Sequence, residues 1–319
     1  MLLSLPSFMK SESATLLMIM YGVLVFATVL FYVWGRVAPA ANLTELKLRT
    51  RSWWVMAVIF SAATVIHPIV TFVSIGFLSF AVMRELFSLM NLRMADRKAV
   101  LFAYLAIPVQ YFFAYMGWYI SFLVFIPVCM YVCIPAVLVA EGETKGIIQS
   151  MTQLTAVLML SVFCFSHLAY LLSLPELPGF SAGGRGLLLF LVFITEINDV
   201  MQFVWGKTLG KRKIMPGVSP NKTWEGFVGG VISTAFLGYF LRFLTPFEGW
   251  QAWLVSLIVG IAGFCGDVII SAIKRDLGLK DTGSTIPGHG GVLDRVDSLG
   301  VTSPVFFYLV YFLAYQFNV

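Results

Sequence analysis

The chain has 319 residues, of which 59% are hydrophobic and 12% charged, with a formal net charge of +5. A soluble domain carries about 25% charged residues. A mean hydropathy of +0.90 therefore excludes an ordinary soluble domain, and the modest charge leaves no footprint for nucleic acid. The 8 Trp, 12 Tyr and 29 Phe suit a membrane protein with aromatic belts. Cys129, Cys133, Cys164 and Cys265 fall inside apolar stretches without metal spacing, and read as small core residues.

A helix needs about 20 apolar residues to cross a bilayer. Ten stretches qualify, near 15–35, 53–67, 68–87, 99–115, 118–139, 151–173, 186–206, 223–243, 251–271 and 301–317. The sequence predicts an all-α, polytopic integral membrane protein with about ten transmembrane helices. His67-Pro68 interrupts one apolar run, and a proline there predicts a tight turn between two helices. The first stretch ends in small residues at 37–41 (VAPAA) that resemble a signal-peptide cleavage site. Its apolar core is too long for an h-region and lacks a strong basic start, so it reads as a retained helix.

With the 36–52 loop placed in the cytoplasm and the spans alternating, every Lys and Arg except Lys10, Arg185 and Arg242 falls on one side. That is the positive-inside bias, and it predicts a cytoplasmic (inner) membrane protein with its polar loops facing the cytoplasm. Residues 1–180 read as a region of membrane helices. Residues 181–319 read as a catalytic region with cytoplasmic loops at 206–222 and 272–300.

Carboxylates inside membrane helices are costly and default to functional readings. In ITEINDVMQFVWGK (194–207), Glu196, Asp199 and Gln202 recur every three residues and share a helix face. In CGDVIISAIKR (265–275), Asp267, Ser271, Lys274 and Arg275 form a polar stripe. Internal ion pairs or helix–helix hydrogen bonds are the structural alternative. The loop GKTLGKRKIMPGVSPNKTWEG (206–226) is basic but also rich in Gly and Pro. A positive-inside anchor for anionic headgroups is one reading. The other is a turn at Ser219-Pro220 that caps the next helix and, beside Lys222, cradles a phosphate. Gly226, Gly229 and Gly230 read as close helix packing.

The densest polar stretch is KRDLGLKDTGSTIPGHGGVLDRVD (274–297). Its carboxylates suit a hard cation such as Mg²⁺, which combines a few carboxylates with substrate phosphates. Glycines let backbone approach a phosphate, and Lys and Arg neutralise it. Acid, base and glycine at one membrane surface point to metal-assisted chemistry on a phosphorylated, lipid-anchored substrate.

Residues 271–299, SAIKRDLGLKDTGSTIPGHGGVLDRVDSL, resemble the signature of the phosphatidate cytidylyltransferases, the CDP-diacylglycerol synthases, and residues 206–230 resemble that family's second motif segment. The resemblance implies that CTP and phosphatidic acid give CDP-diacylglycerol and pyrophosphate in phospholipid biosynthesis. It implies Mg²⁺, with a second monovalent or divalent cation as a further candidate, and puts Asp267 and Asp294 at the metal positions. Asp199, Lys222, Lys274, Arg275, His289 and Asp297 fall at catalytic positions. Ser219, Lys222, Lys280, Gly290, Gly291 and Arg295 fall at substrate-binding positions. The expected partners are CTP, phosphatidic acid and membrane lipids, with a homodimer as a candidate assembly and no nucleic acid. The family's small-residue pattern around the acid near 199, approximately Asp-Ser-Gly-Ala-Tyr, is replaced here by Asp199-Val200-Met201-Gln202-Phe203. Two rival readings are a related transferase or kinase acting on another lipid, and an ion-coupled transporter using Glu196, Asp199 and Asp267; no internal repeat supports the latter.

Overall fold

A computed structural model describes residues 12–37, 44–279, 281–283 and 290–316. In chain order the helices are α1 (Glu12–Val37), α2 (Thr44–Ile66), α3 (Pro68–Leu89), α4 (Arg97–Met116), α5 (Tyr119–Ala140), α6 (Ile147–Ser173), α7 (Gly183–Thr208), α8 (Trp224–Phe240), α9 (Gly249–Asp276) and α10 (Leu293–Val310). A two-stranded hairpin, β1 (Lys213–Met215) and β2 (Ser219–Thr223), separates α7 from α8. Turns of π-helix interrupt α5 at Phe125–Met130 and α6 at Met159–Phe163, and another, Tyr311–Gln316, extends α10.

The architecture is all-α and polytopic, but eight helices, not ten, are long and apolar enough to span a membrane among the described residues. The two that fall short are α2 and α8. The first turns of α2 carry Glu45, Lys47 and Arg49, so its apolar part is only Thr50–Ile66. Helix α8 has 17 residues, short of the ~20 that cover the hydrocarbon core. The predicted break at residue 67 is present. Pro68 opens α3, and the His67 ring accepts the Ile69 N–H at 3.2 Å through Nδ1, which satisfies an otherwise orphaned donor.

The cysteines are not the core residues their apolar surroundings suggested. Cys129 and Cys265 are exposed, and Cys133 and Cys164 are partly so. In a membrane protein the outer surface is itself apolar, so an apolar neighbourhood does not distinguish lipid-facing positions from core ones.

Helix α6 is the most buried of the spans and packs on α3, α4 and α10. Helices α7 to α10 form a second layer, in which α7–α8, α8–α9 and α9–α10 are the most extensive contacts. Asn198 of α7 holds this layer together: it donates to Gly260 O in α9 at 3.2 Å and accepts from Thr234 Oγ1 in α8 at 3.1 Å. Such side-chain bonds act between membrane helices because lipid gives no hydrophobic reward for helix association. Gly226, Gly229 and Gly230 serve close packing as expected. A Cβ at Gly226 would lie 2.7 Å from Gln202 O, and one at Gly229 2.5 Å from the Trp205 ring.

Candidate active site

The basic loop after α7 folds as a hairpin, where the sequence predicts only a turn. Lys213 pairs with Thr223 and Met215 with Ser219. The turn lies at Pro216-Gly217, closed by a Val218 N–H to Met215 O bond of 3.1 Å. The residue capping α8 is Thr223, whose hydroxyl accepts the Gly226 N–H at 3.1 Å, rather than the Ser219-Pro220 turn expected from the sequence. The reason is positional: an N-cap side chain reaches the N–H three residues on, and Ser219 and Pro220 belong to β2 instead. Glu225 takes the N–H groups of Lys211 and Arg212 at 3.0 and 3.2 Å. Those N–H groups, Lys211 foremost, hold its carboxyl below the usual range. Arg275, at the end of α9, donates Nε to Val218 O at 3.1 Å and Nη1 to Leu279 O at 3.2 Å, and so fastens the hairpin to α9.

The hairpin delivers Lys222 into a group of acids. Its ammonium lies 2.5 Å from Asp267 Oδ2, with the two side chains 19% and 23% exposed. It donates to Gln202 Oε1 at 3.2 Å and lies 5.4 Å from the centre of the Phe264 ring. Asp199 and Asp297 are also within electrostatic reach. Burial works against the charge on Lys222, but Asp267 and Asp199 outweigh it and hold the ammonium above the ordinary lysine value of 10.5. The stripe read on α9 is real: Ser271 donates to Asp267 Oδ1 at 3.2 Å. From α10, Ser298 donates its hydroxyl to Asp199 Oδ2 at 2.7 Å and its N–H to Asp297 Oδ1 at 2.9 Å. Three helices and one strand therefore meet at this point.

Asp294 belongs to an adjoining group. Its Oδ1 receives the Lys274 ammonium at 2.7 Å. Its Oδ2 accepts from Thr282 N at 2.8 Å, Gly291 N at 3.0 Å and Thr282 Oγ1 at 3.0 Å. Lys274 also feels the charge of Asp297, so it joins the two groups. Gly290 adopts a positive φ of 81°, and a Cβ there would lie 2.6 Å from Asp294 Oδ2. Ser219 lies at the start of β2. Arg295 and Glu196 are close enough to interact electrostatically. Lys280 and His289, assigned from the resemblance, lie outside the described residues.

The donors at Lys222 are oxygen throughout and fit a hard cation. Asp199 Oδ1 is buried without a hydrogen-bond partner, with the Lys222 ammonium and the carboxylates of Asp267 and Glu196 in electrostatic reach; three carboxylates against one ammonium leave room for a further cation. Among the described residues no three His, Cys, Asp or Glu side chains form a ready-made cage. Mg²⁺ does not need one, because it takes one or two carboxylates and completes its shell with water and phosphate oxygens. Of the two aspartates assigned to the metal, Asp267 lies in this group with its oxygens on Lys222 and Ser271, and Asp294 lies in the adjoining group with its oxygens on Lys274, Thr282 and Gly291.

Three participants carried no motif signal. Ser298 and Thr282 are hydroxyls, common in any loop or helix. Glu85 is far away in sequence, yet bonds Thr282 and the start of α10; as an acid in an apolar span it could have been singled out.

The model of the Cytidylyltransferase family matches residues 47–313, most of the chain. The chain belongs to the cytidylyltransferase family. It is an integral membrane protein and a nucleotidyltransferase by that membership. It is 38% identical over 299 residues to the uncharacterized protein YnbB of Escherichia coli, which covers 93% of this chain and 97% of that one. It is 34% identical over 148 residues to a phosphatidate cytidylyltransferase of Staphylococcus haemolyticus, and 34% identical over 150 residues to one of Staphylococcus aureus. Each of those two matches spans 46% of this chain and 57% of the relative. Membership in the cytidylyltransferase family agrees with the resemblance of residues 206–230 and 271–299.

Proposed function

We propose that the chain transfers the cytidylyl group of CTP to phosphatidic acid, giving CDP-diacylglycerol and pyrophosphate. The observation that carries this reading is the Lys222–Asp267 pair, which ties the 206–230 motif segment to α9 just before the 271–299 segment, at a point where Asp199 and Asp297 also converge. In the reaction an oxygen of the lipid phosphate bonds to the α-phosphorus of CTP. The bond from that phosphorus to the bridging oxygen breaks, and pyrophosphate leaves with the electron pair. A phosphate monoester is largely ionised at pH 7, with a second pKa of about 6, so no strong general base is required.

Lys222 and Lys274 neutralise and orient the phosphates, and are held for this by Asp267 and Asp294. Arg275 sets the hairpin that carries Lys222. Asp267 and Asp199 would hold Mg²⁺, which when bound supplies charge stabilisation at the nucleotide phosphates. The cluster of Lys207, Lys211, Arg212, Lys213 and Lys222 in and around the hairpin supports a site facing the cytoplasm from the inner membrane. The staphylococcal relatives named phosphatidate cytidylyltransferase support the substrate assignment.

A second reading, transfer to a different lipid phosphate, is favoured by Gln202. It is buried, bonds Lys222 and stands where the resembled pattern has a small residue. Purified protein supplied with CTP, Mg²⁺ and a panel of lipid phosphates tests both. CDP-diacylglycerol from phosphatidic acid supports the first; a CDP-lipid from another member only supports the second; none rejects both.

A further inference from the structure

Glu85 lies near the end of α3, buried, and belongs to neither motif segment. A carboxylate in an apolar span must be compensated. Here the compensation comes from the motif loop: Oε2 accepts the Val292 N–H at 2.8 Å and the Leu293 N–H at 3.4 Å, and Oε1 is in close contact with the Thr282 hydroxyl. Helix α10 begins at Leu293, and its N-cap residue Val292 makes no side-chain capping bond. The first N–H groups of a helix lack intrahelical partners and carry the positive end of its dipole. Glu85 supplies that cap from a different helix.

The contact continues inward. The Thr282 hydroxyl stands between Glu85 Oε1 and Asp294 Oδ2, and Asp294 Oδ1 holds the Lys274 ammonium. Asp297 follows one turn into α10, with Ser298 beside it bonded to Asp199. The start of α10 thus sets where Lys274, Asp297 and Asp199 stand. Gly291 belongs to the same device: a Cβ there would collide with Glu85 Oε1 and Thr282 Oγ1. The glycine makes room for the carboxylate.

We infer that Glu85 is a positioning residue for cytidylyl transfer, acting through Thr282, Asp294 and the start of α10 rather than by touching substrate. The inference rests on the proposed function. It differs from a purely structural role in what it changes: a group misplaced by about 1 Å can cost about 10²-fold in turnover while the protein stays folded.

The test uses the full chain in mixed lipid–detergent micelles with CTP, Mg²⁺ and phosphatidic acid. Glu85→Ala should lower kcat by about 10²-fold while KM for CTP stays within about threefold, because the interaction acts on the reacting geometry rather than on uniform binding. Glu85→Gln keeps an acceptor for the Val292 and Leu293 N–H groups and should recover at least about tenfold over the alanine variant. Hydrogen exchange at 291–293 should quicken in Glu85→Ala and not in Glu85→Gln. Wild-type kcat in Glu85→Ala, or no recovery with Gln, overturns the inference. Should Glu85→Ala fail to fold, Thr282→Val removes the bridging hydroxyl at nearly constant shape, and an unchanged kcat there overturns it equally. If the wild type makes no CDP-lipid from any lipid phosphate, the proposed function has failed instead. Amide exchange then decides Glu85 alone: faster exchange in Glu85→Ala supports its hold on α10, and unchanged exchange refutes it.

Discussion

Replacing Lys222 by Met keeps most of the side chain's volume and removes its charge. The ammonium it loses is 2.5 Å from Asp267 Oδ2, and the two side chains are 19% and 23% exposed. Breaking a buried ion pair by removing one partner costs roughly 3–5 kcal/mol, because the other charge is left uncompensated. With about a fifth of each side chain open to solvent, the lower end applies, about 3 kcal/mol. If the charge acts on the phosphates in the transition state, a similar sum falls on the barrier, and at ~1.4 kcal/mol per decade kcat drops about 10²-fold. Lys213→Met is the control. It removes one charge from the same hairpin at an exposed position and should stay within about threefold of wild type.

The pH dependence has a definite sign. The folded-state value of Lys222 lies above the ordinary 10.5. A raised value makes the pair's stabilisation complete below the unfolded value and lost only as pH rises through the folded one. The stability gap between wild type and Lys222→Met should therefore narrow as pH rises above about 10.5. Initial rates of CDP-lipid formation and thermal unfolding in micelles read both quantities. Equal, small losses in the two lysine variants would refute the reasoning and leave the hairpin as a headgroup anchor.

Other substitutions separate the parts of the site. Asp267→Asn and Asp199→Asn should each reduce activity by two or more decades (about 10²-fold), and the double variant should be little worse, since groups acting as one unit are not additive. Asp294→Asn should abolish turnover by releasing Lys274, whereas Asp276→Asn, exposed at the end of α9, should stay near wild type in the same rate assay. Gly291→Ala should lower the unfolding temperature as well as the rate, because its methyl group displaces Glu85 and Thr282; unchanged unfolding would contradict the packing described. Gln202→Ala opens space beside Lys222 and should shift preference among lipid phosphates, measured as ratios of kcat/KM. Met215→Cys, at the exposed end of β1, should react with impermeant maleimide in inverted vesicles and not in intact cells.

The spans were legible because lipid solvation leaves long apolar runs, and His67-Pro68 marked its own break. Length misled at α2 and α8, where charged or short helices abut apolar neighbours and a hydropathy run does not show where the helix stops. Lys222, Asp267, Asp294 and Asp297 could be singled out because charge in an apolar chain is costly. Their partners could not, since pairing depends on how α9, α10 and the hairpin cross. The hairpin itself has three-residue and five-residue strands, too short for a period-2 pattern to stand out. Glu85 acts about 200 residues from its partners, a distance no local pattern spans.

The most direct measurement supplies the purified protein with phosphatidic acid, Mg²⁺ and CTP labelled separately at the α- and γ-phosphorus. Cytidylyl transfer puts the α-label in the lipid product and the γ-label in pyrophosphate, one for one, with both initial rates about 10²-fold lower in Lys222→Met. Appearance of the γ-label in lipid would instead make the chain a kinase, and release of neither label would remove the transfer reaction from this site.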